Sequence, residues 1–522
     1  MNLRYTSLST AALLLATAMQ AQVSFGGSPY GRTKAHVLPD APLAVMPLVD
    51  AATLMAEDEQ RLASGVKGPY RFGYNHAVDL SLENSGIWYT MPNGDAVWRL
   101  AIECPSAFSI NFEFNDYVVP EGAQVFVYTA AELFGAFTAE SNPGHTELGV
   151  TQLQGDRITI EYVEPRAVRG MGRLRIGQVT HAYRDIFGTL KGFNTSGACN
   201  NNVICPEADG WRDQIRSVAM ITVGGSGICT GQLINNCANN GIPYFITANH
   251  CLGGSNTWVF RFNWDSPVCT PTTNAPTNQT VSGSTLKASS AGSDVGLLQL
   301  NSTPPASYDV FYTGWDKSGT VPTTQTCIHH PDGDIKKISF NNDPADVQSW
   351  GGASTWHIPA WDDGTTEPGS SGSGLWNQNG LFIGQLYGGQ ALCGPPASNN
   401  VNDYFGRFSV SYPLLTTWLG TCGNTLQGYP MTSGIGDKAV ITELSVAPNP
   451  TTGMLTVILP TTMTSGGKIT VHDALGQLVY TTTVRSGMEQ ITIDLSGRTE
   501  GIYLLEAVAE GFHGVQRVVL NR

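Results

Sequence analysis

An all-β chain built from several modules is the fold class this sequence predicts, and three observations carry the prediction. Apolar and polar residues alternate over short runs bounded by turn residues. The strand–helix alternation that marks parallel βαβ units is absent. The composition is loop-rich, with 59 Gly and 29 Pro against 13% charged residues, a balance that suits an exported β protein. At 522 residues, three or four domains are expected.

The elements follow in chain order. Arg4, the apolar run around Leu13-Leu14-Leu15 and the small residues after it read as a signal peptide over 1–21, with cleavage after Ala18 or Ala21. That run is too short to span a bilayer, and no other segment could cross one, so no membrane span is expected after its removal. Residues 22–191 read as a pro-region. It has few clear elements up to about residue 70, then a small β-sandwich over about 70–185. There Ile110, Phe112 and Phe114 face one way and Asn111 and Glu113 the other. The sandwich shows no chemistry of its own.

A cysteine-rich block of short strands covers 192–425, with strands at 217–223, 244–247, 295–300 and 381–386. Residues 426–439 form a linker. A last β module at 440–522 has strands at 455–459, 468–472, 478–484, 490–495, 502–508 and 515–520.

Charge and cysteine usage narrow the function. A net charge of −14 argues against nucleic-acid binding. Ten cysteines behind an export signal point to disulfides, and eight of them lie from Cys199 to Cys393. No Cys-x-x-Cys pair occurs, and the adjacent His329-His330 would face opposite sides of a strand, so neither metal nor cofactor is expected.

Three segments carry chemistry: Thr247-Ala248-Asn249-His250-Cys251, Ser293-Asp294 and Gly369-Ser370-Ser371-Gly372-Ser373. Their order, His then Asp then Ser, is that of the chymotrypsin-type triad, at spacings of 44 and 77 residues. A serine hydroxyl needs a base within hydrogen-bond reach. His250 is the candidate base, Asp294 the group that orients it, and the backbone N–H groups of Gly369 and Ser371 the oxyanion donors.

Residues 197–410 resemble the bacterial lysyl endopeptidases, a secreted branch of the chymotrypsin-like serine proteases. The matching segments are Cys205-Pro206-Glu207, Cys229-Thr230-Gly231, Tyr244 through Cys251, Gly314-Trp315-Asp316, Ile328-His329-His330-Pro331, Thr366 through Ser373, Gly384-Gln385-Leu386 and Gly406-Arg407. The resemblance implies a double β-barrel with the cleft between the barrels, acting on protein or peptide substrates. It implies Asp403 as the carboxylate that reads a substrate lysine, and the backbone from Leu386 to Gly388 as the edge that pairs with substrate. Trp350 matches a family tryptophan near the catalytic histidine, and Tyr387 stands where the family has its histidine partner. The implied disulfides are Cys199–Cys393, Cys205–Cys269 and Cys229–Cys251. Cys104, Cys237, Cys327 and Cys422 are left over, with Cys237–Cys327 as one candidate bridge.

Lys191 is a candidate processing site, since a lysine-specific enzyme cutting there would convert a zymogen to a mature chain starting near Gly192. The last module resembles the C-terminal sorting domains of type IX secretion in Gram-negative bacteria. The resemblance rests on Pro448-Asn449-Pro450-Thr451-Thr452-Gly453, Asp473-Ala474-Leu475-Gly476-Gln477, Gly501-Ile502-Tyr503-Leu504 and Arg517-Val518-Val519-Leu520. It implies the type IX machinery as a partner and a secreted or outer-surface location. The expected function is a secreted serine endopeptidase cutting after lysine. The alternatives are a trypsin-like enzyme that also accepts arginine, and a protease fold retained only for surface binding.

Overall fold

The computed structural model describes residues 26–33, 38–63, 68–188, 196–270, 275–393, 401–431, 441–458, 467–473, 478–485, 488–509 and 512–521. The signal segment and Lys191 lie outside the described residues. The chain divides into two compact units, residues 1–431 and 432–522.

Within the first unit, the N-terminal part is a sandwich of a six-stranded and a four-stranded sheet. Its long strands, such as Ala96–Glu103, Ser109–Val118 and Arg157–Glu164, bury Trp98, Ile110, Phe112, Phe114, Ile160 and Tyr162 in one core. The stretch before residue 70, which the sequence reading left almost without elements, contains the helix Ala51–Ala63. Asp50 opens it, accepting from Thr53 N at 3.1 Å and from Thr53 Oγ1 at 2.7 Å. This is ordinary N-cap chemistry ahead of a run of good helix formers.

The cysteine-rich block forms two curled sheets. The first runs, in spatial order, through Thr280–Ser282, Val259–Phe262, Val218–Val223, Gly227–Leu233, Tyr244–Ala248, Val295–Leu300 and Ser284–Ser290. Phe245, Phe260, Phe262, Trp258 and Leu298 fill it. The second runs through Asn201–Asn202, Lys337–Asn341, Gln325–His329, Gly374–Asn377, Phe382–Gly389, Asp403–Arg407, Ala353–Ile358 and Asp346–Trp350. Trp356, Trp361, Leu375, Ile383 and Phe405 pack there. A third cluster joins the two barrels, with Ile246, Leu297, Trp315, Trp376 and the helix Phe408–Leu419.

Four disulfides staple the block: Cys199–Cys393, Cys205–Cys269, Cys229–Cys251 and Cys237–Cys422. The fourth corrects the Cys237–Cys327 candidate. Cys327 is a buried free thiol inside the second barrel, 3.3 Å from Ser373 Oγ, whereas Cys237 packs at the end of the last helix of the block.

The second unit is a five-stranded sheet and a three-stranded sheet around Leu455, Val457, Ile469, Val471, Ile493, Leu505 and Val518.

Candidate active site

His250 sits in a single 3-10 turn, Asn249–Cys251, at the end of the strand Tyr244–Ala248. The Cys229–Cys251 bridge ties that turn to the neighbouring strand Gly227–Leu233. Asp294 closes a tight turn with φ +51°, a left-handed conformation that aspartate tolerates better than most residues. Only 2% exposed, it meets His250 twice. Its Oδ1 accepts from His250 N at 3.0 Å, and its Oδ2 lies 2.8 Å from His250 Nδ1. The Asp294 carbonyl also accepts from Asn249 N at 2.8 Å. The imidazole is therefore fixed in plane and tautomer, and its buried Nε2 makes no hydrogen bond among the described residues.

The second barrel holds the Asp294 turn from below. Gln385 Nε2 donates to the carbonyls of Ser293 and Asp294 at 2.7 and 3.1 Å, and the hydroxyls of Ser293 and Ser411 are 2.7 Å apart. Gly406 passes so close to Ser293 O that any side chain there would collide with it.

Ser371, half-buried, lies in a turn with glycines of positive φ on either side, Gly369 at +93° and Gly372 at +85°. A Cβ at Gly372 would strike Thr230 O and Thr247 Oγ1, so the turn presses against the strand that leads to His250. Thr230 grips the turn twice: its N donates to Ser371 O at 2.8 Å and its Oγ1 to Gly369 O at 2.9 Å. From the other side, Gly372 N donates to Leu386 O at 2.9 Å and Leu386 N to Ser373 O at 2.8 Å. Ser370 Oγ is 2.7 Å from His329 Nδ1.

Burial holds the His329 imidazole neutral, with its pKa pushed down to about 3. His330 stacks on Trp264 and pairs through Nδ1 with Asp334 O at 2.8 Å. Glu367, raised by burial, accepts from Gly197 N at 3.0 Å and Asn200 Nδ2 at 2.6 Å, which pins the start of the block beside the serine turn.

Asp403, 1% exposed, opens the strand Asp403–Arg407. Its Oδ2 accepts from Trp361 Nε1 and Thr366 Oγ1, both at 2.7 Å. The adjacent strand Phe382–Gly389 carries a bulge between Leu386 and Gly388, and the extra residue is Tyr387. Its ring stacks on His250 with centroids 5.6 Å apart and meets Trp350 edge-on at 4.8 Å. Trp350 in turn stacks on Tyr404 at 4.9 Å.

The structure thus brings His250, Asp294, Tyr387 and Trp350 together, with the serine turn packed on the histidine strand. Asp403 starts the strand next to the one that carries Tyr387. Sequence reading missed the supports, Thr230, Gln385, Trp361, Thr366 and Tyr404. Thr230, Gln385 and Thr366 sit inside quoted motifs, but nothing local assigns Thr230 or Gln385 a bond to a turn 91 or more residues away.

A double-barrel protease fold with this acid–base pair defines the class as a chymotrypsin-like serine endopeptidase. Comparisons then narrow it. A family described as "Lysyl endopeptidase, C-terminal domain" matches residues 193–406, and one described as "Secretion system C-terminal sorting domain" matches 445–521. The lysyl endopeptidase of Pseudomonas aeruginosa is 30% identical over 362 residues, covering 63% of this chain and 77% of that protein.

The chain belongs to the lysyl endopeptidase family, and its sorting domain makes it a secreted or cell-surface protein that uses type IX secretion. Among solved structures, a Glu endopeptidase matches at 15% identity and TM-score 0.28, covering 44% of this chain and 98% of that one. An HtrA-type protease with a tripeptide matches at 11% and 0.31, covering 61% and 97%. No described helix is long and apolar enough to cross a membrane.

Proposed function

We propose that this endopeptidase cuts after lysine through an acyl-enzyme on Ser371. His250 takes the Ser371 proton through Nε2 and later returns it to the leaving amine. Asp294 stabilises the imidazolium that forms in between. The carbonyl oxygen of the scissile bond moves into the turn, where the N–H groups of Gly369 and Ser371 receive the developing charge. Substrate backbone adds as a strand along Leu386 to Gly388, with Tyr387 and Trp350 beside it.

The observation that carries the reading is the doubly bonded His250–Asp294 pair beside a serine turn clamped by Thr230. For specificity, the support is the buried Asp403 carboxylate. A substrate ammonium gives up its water only if an anion replaces it. Two donors already occupy Oδ2, which disfavours the two-oxygen fork of a guanidinium and suits a compact ammonium. Lys191 would be the processing site that separates residues 22–191 from the mature block.

Mass-spectrometric mapping of cuts in a mixed peptide pool, beside the Ser371→Ala protein, tests this reading. Cuts confined to lysyl bonds and lost in the variant are expected. Cuts after arginine as well would refute the role given to Asp403, and cuts that persist in the variant would refute that given to Ser371.

A further inference from the structure

The sandwich carries two histidines that the reaction does not use. His76 lies on the strand Gly73–Ser81 and His181 on its neighbour Arg173–Ala182. The register sets His181 against Tyr74 and His76 against Val179. Side chains alternate along a strand, so both imidazoles project from one face, on the diagonal between adjacent pairs. Val179 places that face in the core of the sandwich.

Both rings are buried, His76 at 7% exposure and His181 at 3%. Their centroids lie 6.2 Å apart, with 61° between the ring planes. Tyr74 meets His76 edge-on at 5.1 Å and closes one side of it. His76 Nε2 and His181 Nδ1 are buried and make no hydrogen bond among the described residues. A buried polar atom left without a partner costs free energy, and most such atoms have one. Here two of them occur in neighbouring rings.

Burial also keeps both rings neutral near pH 7. It lowers the pKa of His76, and with the adjacent His76 it pushes that of His181 down to about 4. A neutral imidazole has a lone pair to give. An ion held about 2.1 Å from one nitrogen of each ring would set the centroids roughly 5–6.5 Å apart. The observed separation falls in that range. A cavity of about 340 Å³ adjoins His76, walled by Pro47, Leu48, Asp50, Thr53 and Tyr74. It gives an ion a way in and leaves room for water on its other positions.

The donor set selects the class of ion. Imidazole nitrogens suit zinc and its first-row neighbours, whereas calcium and magnesium take oxygen. Among the described residues no third histidine, cysteine or carboxylate joins the pair, so the site is an open one.

We propose that His76 and His181 together bind one late first-row transition ion of the Zn²⁺ type, which clips the strand Gly73–Ser81 to Arg173–Ala182. This site is independent of the peptidase centre and of its specificity.

The test uses the full chain carrying Ser371→Ala, which cannot cut itself, and Zn²⁺ alone as the probe. Equilibrium dialysis near neutral pH with metal analysis is run beside the same chain carrying His76→Gln or His181→Gln, each checked for folding by circular dichroism. The parent should retain one more Zn²⁺ than either variant, with affinity at that site at least about tenfold weaker in each. Excess Ca²⁺ should not displace it. With one equivalent loaded, X-ray absorption at the zinc edge should show two imidazoles at about 2.0–2.1 Å. Equal zinc retention by either folded variant would overturn the proposal. Should both variants fail to fold, the absorption spectrum of the parent decides, and an ion with one imidazole or none, or a chain that retains no zinc, would overturn it.

Discussion

The two barrels solve different problems with different materials. In the first, the buried charged residues among those described are Arg261 and Asp294, and its interior is Phe245, Phe260, Phe262 and their apolar neighbours. The second barrel and its loops bury His329, His330, Asp334, Lys336, Lys337, Glu367 and Asp403. The imidazole–carboxylate pair sits on strand ends of the apolar barrel and is held from the second barrel by Gln385 and Ser411. The turn around Ser371 lies among these buried polar groups, and directional bonds such as the one between Ser370 Oγ and His329 Nδ1 fix it at a cost in desolvation. The difference teaches that apolar packing builds the first barrel, while the turns of the candidate site on both sides are fixed by directional bonds that cross between the barrels.

Removing the nucleophile tests the division most severely. Ser371→Ala should reduce kcat by about 10⁴–10⁶-fold while the fold and the His250–Asp294 pair persist, as read by kinetics and circular dichroism. Asp403→Asn comes next. Lysyl kcat/KM should fall about 100- to 1000-fold, and labelling of Ser371 by a small fluorophosphonate should stay intact. Equal loss of both would mean that Asp403 supports the turn and not the pocket. The double variant Cys237→Ser with Cys422→Ser should cost about 2–4 kcal/mol in denaturant unfolding and leave kcat near wild type. Thr230→Val, which keeps the shape but removes the hydroxyl bond to Gly369 O, should cost about 1 kcal/mol in kcat, roughly fivefold, with KM steady.

The gentlest test is pH. His329 is held neutral with its pKa pushed to about 3, below its ordinary 6.5, so between these values the unfolded chain binds the extra proton. Its contribution to stability is present above pH 6.5 and is lost as pH falls toward 3. His329→Gln should flatten that acid limb in chemical denaturation followed across pH; an unchanged limb would place the acid sensitivity at a group other than His329.

Much of the site was readable because its chemistry is local. Glycines that need positive φ flank Ser371, and a histidine beside a cysteine ends a strand, so short motifs announce both. Their supports act over long range. Thr230 reaches 139 residues to Gly369, and Trp361 and Thr366 reach 42 and 37 to Asp403. The partner of Cys237 is likewise a matter of where the chain returns after 185 residues. The helix Ala51–Ala63 had a local signal in Asp50 and the run after it, which strand periodicity obscured. The junction of the sandwich with the first barrel pairs residues 70–72 with 226–228, and no pattern within either segment points to the other.

The shared edge of Gly227–Leu233 also bears on the order of folding events. Its three partners come from residues 70–71, 245–246 and 371, and the pair with 245–246 closes by far the shortest loop. Long loops close late, because their entropy is spent before any contact repays it. The bond from Thr230 N to Ser371 O should therefore form after the pairing of Gln232 with Ile246, a sequence that pulse labelling of the Thr230 amide against that of Gln232 would time. A chain made inside the cell would then carry a folded histidine side and an unset serine, and would acquire its cutting power only as that later stitch is drawn.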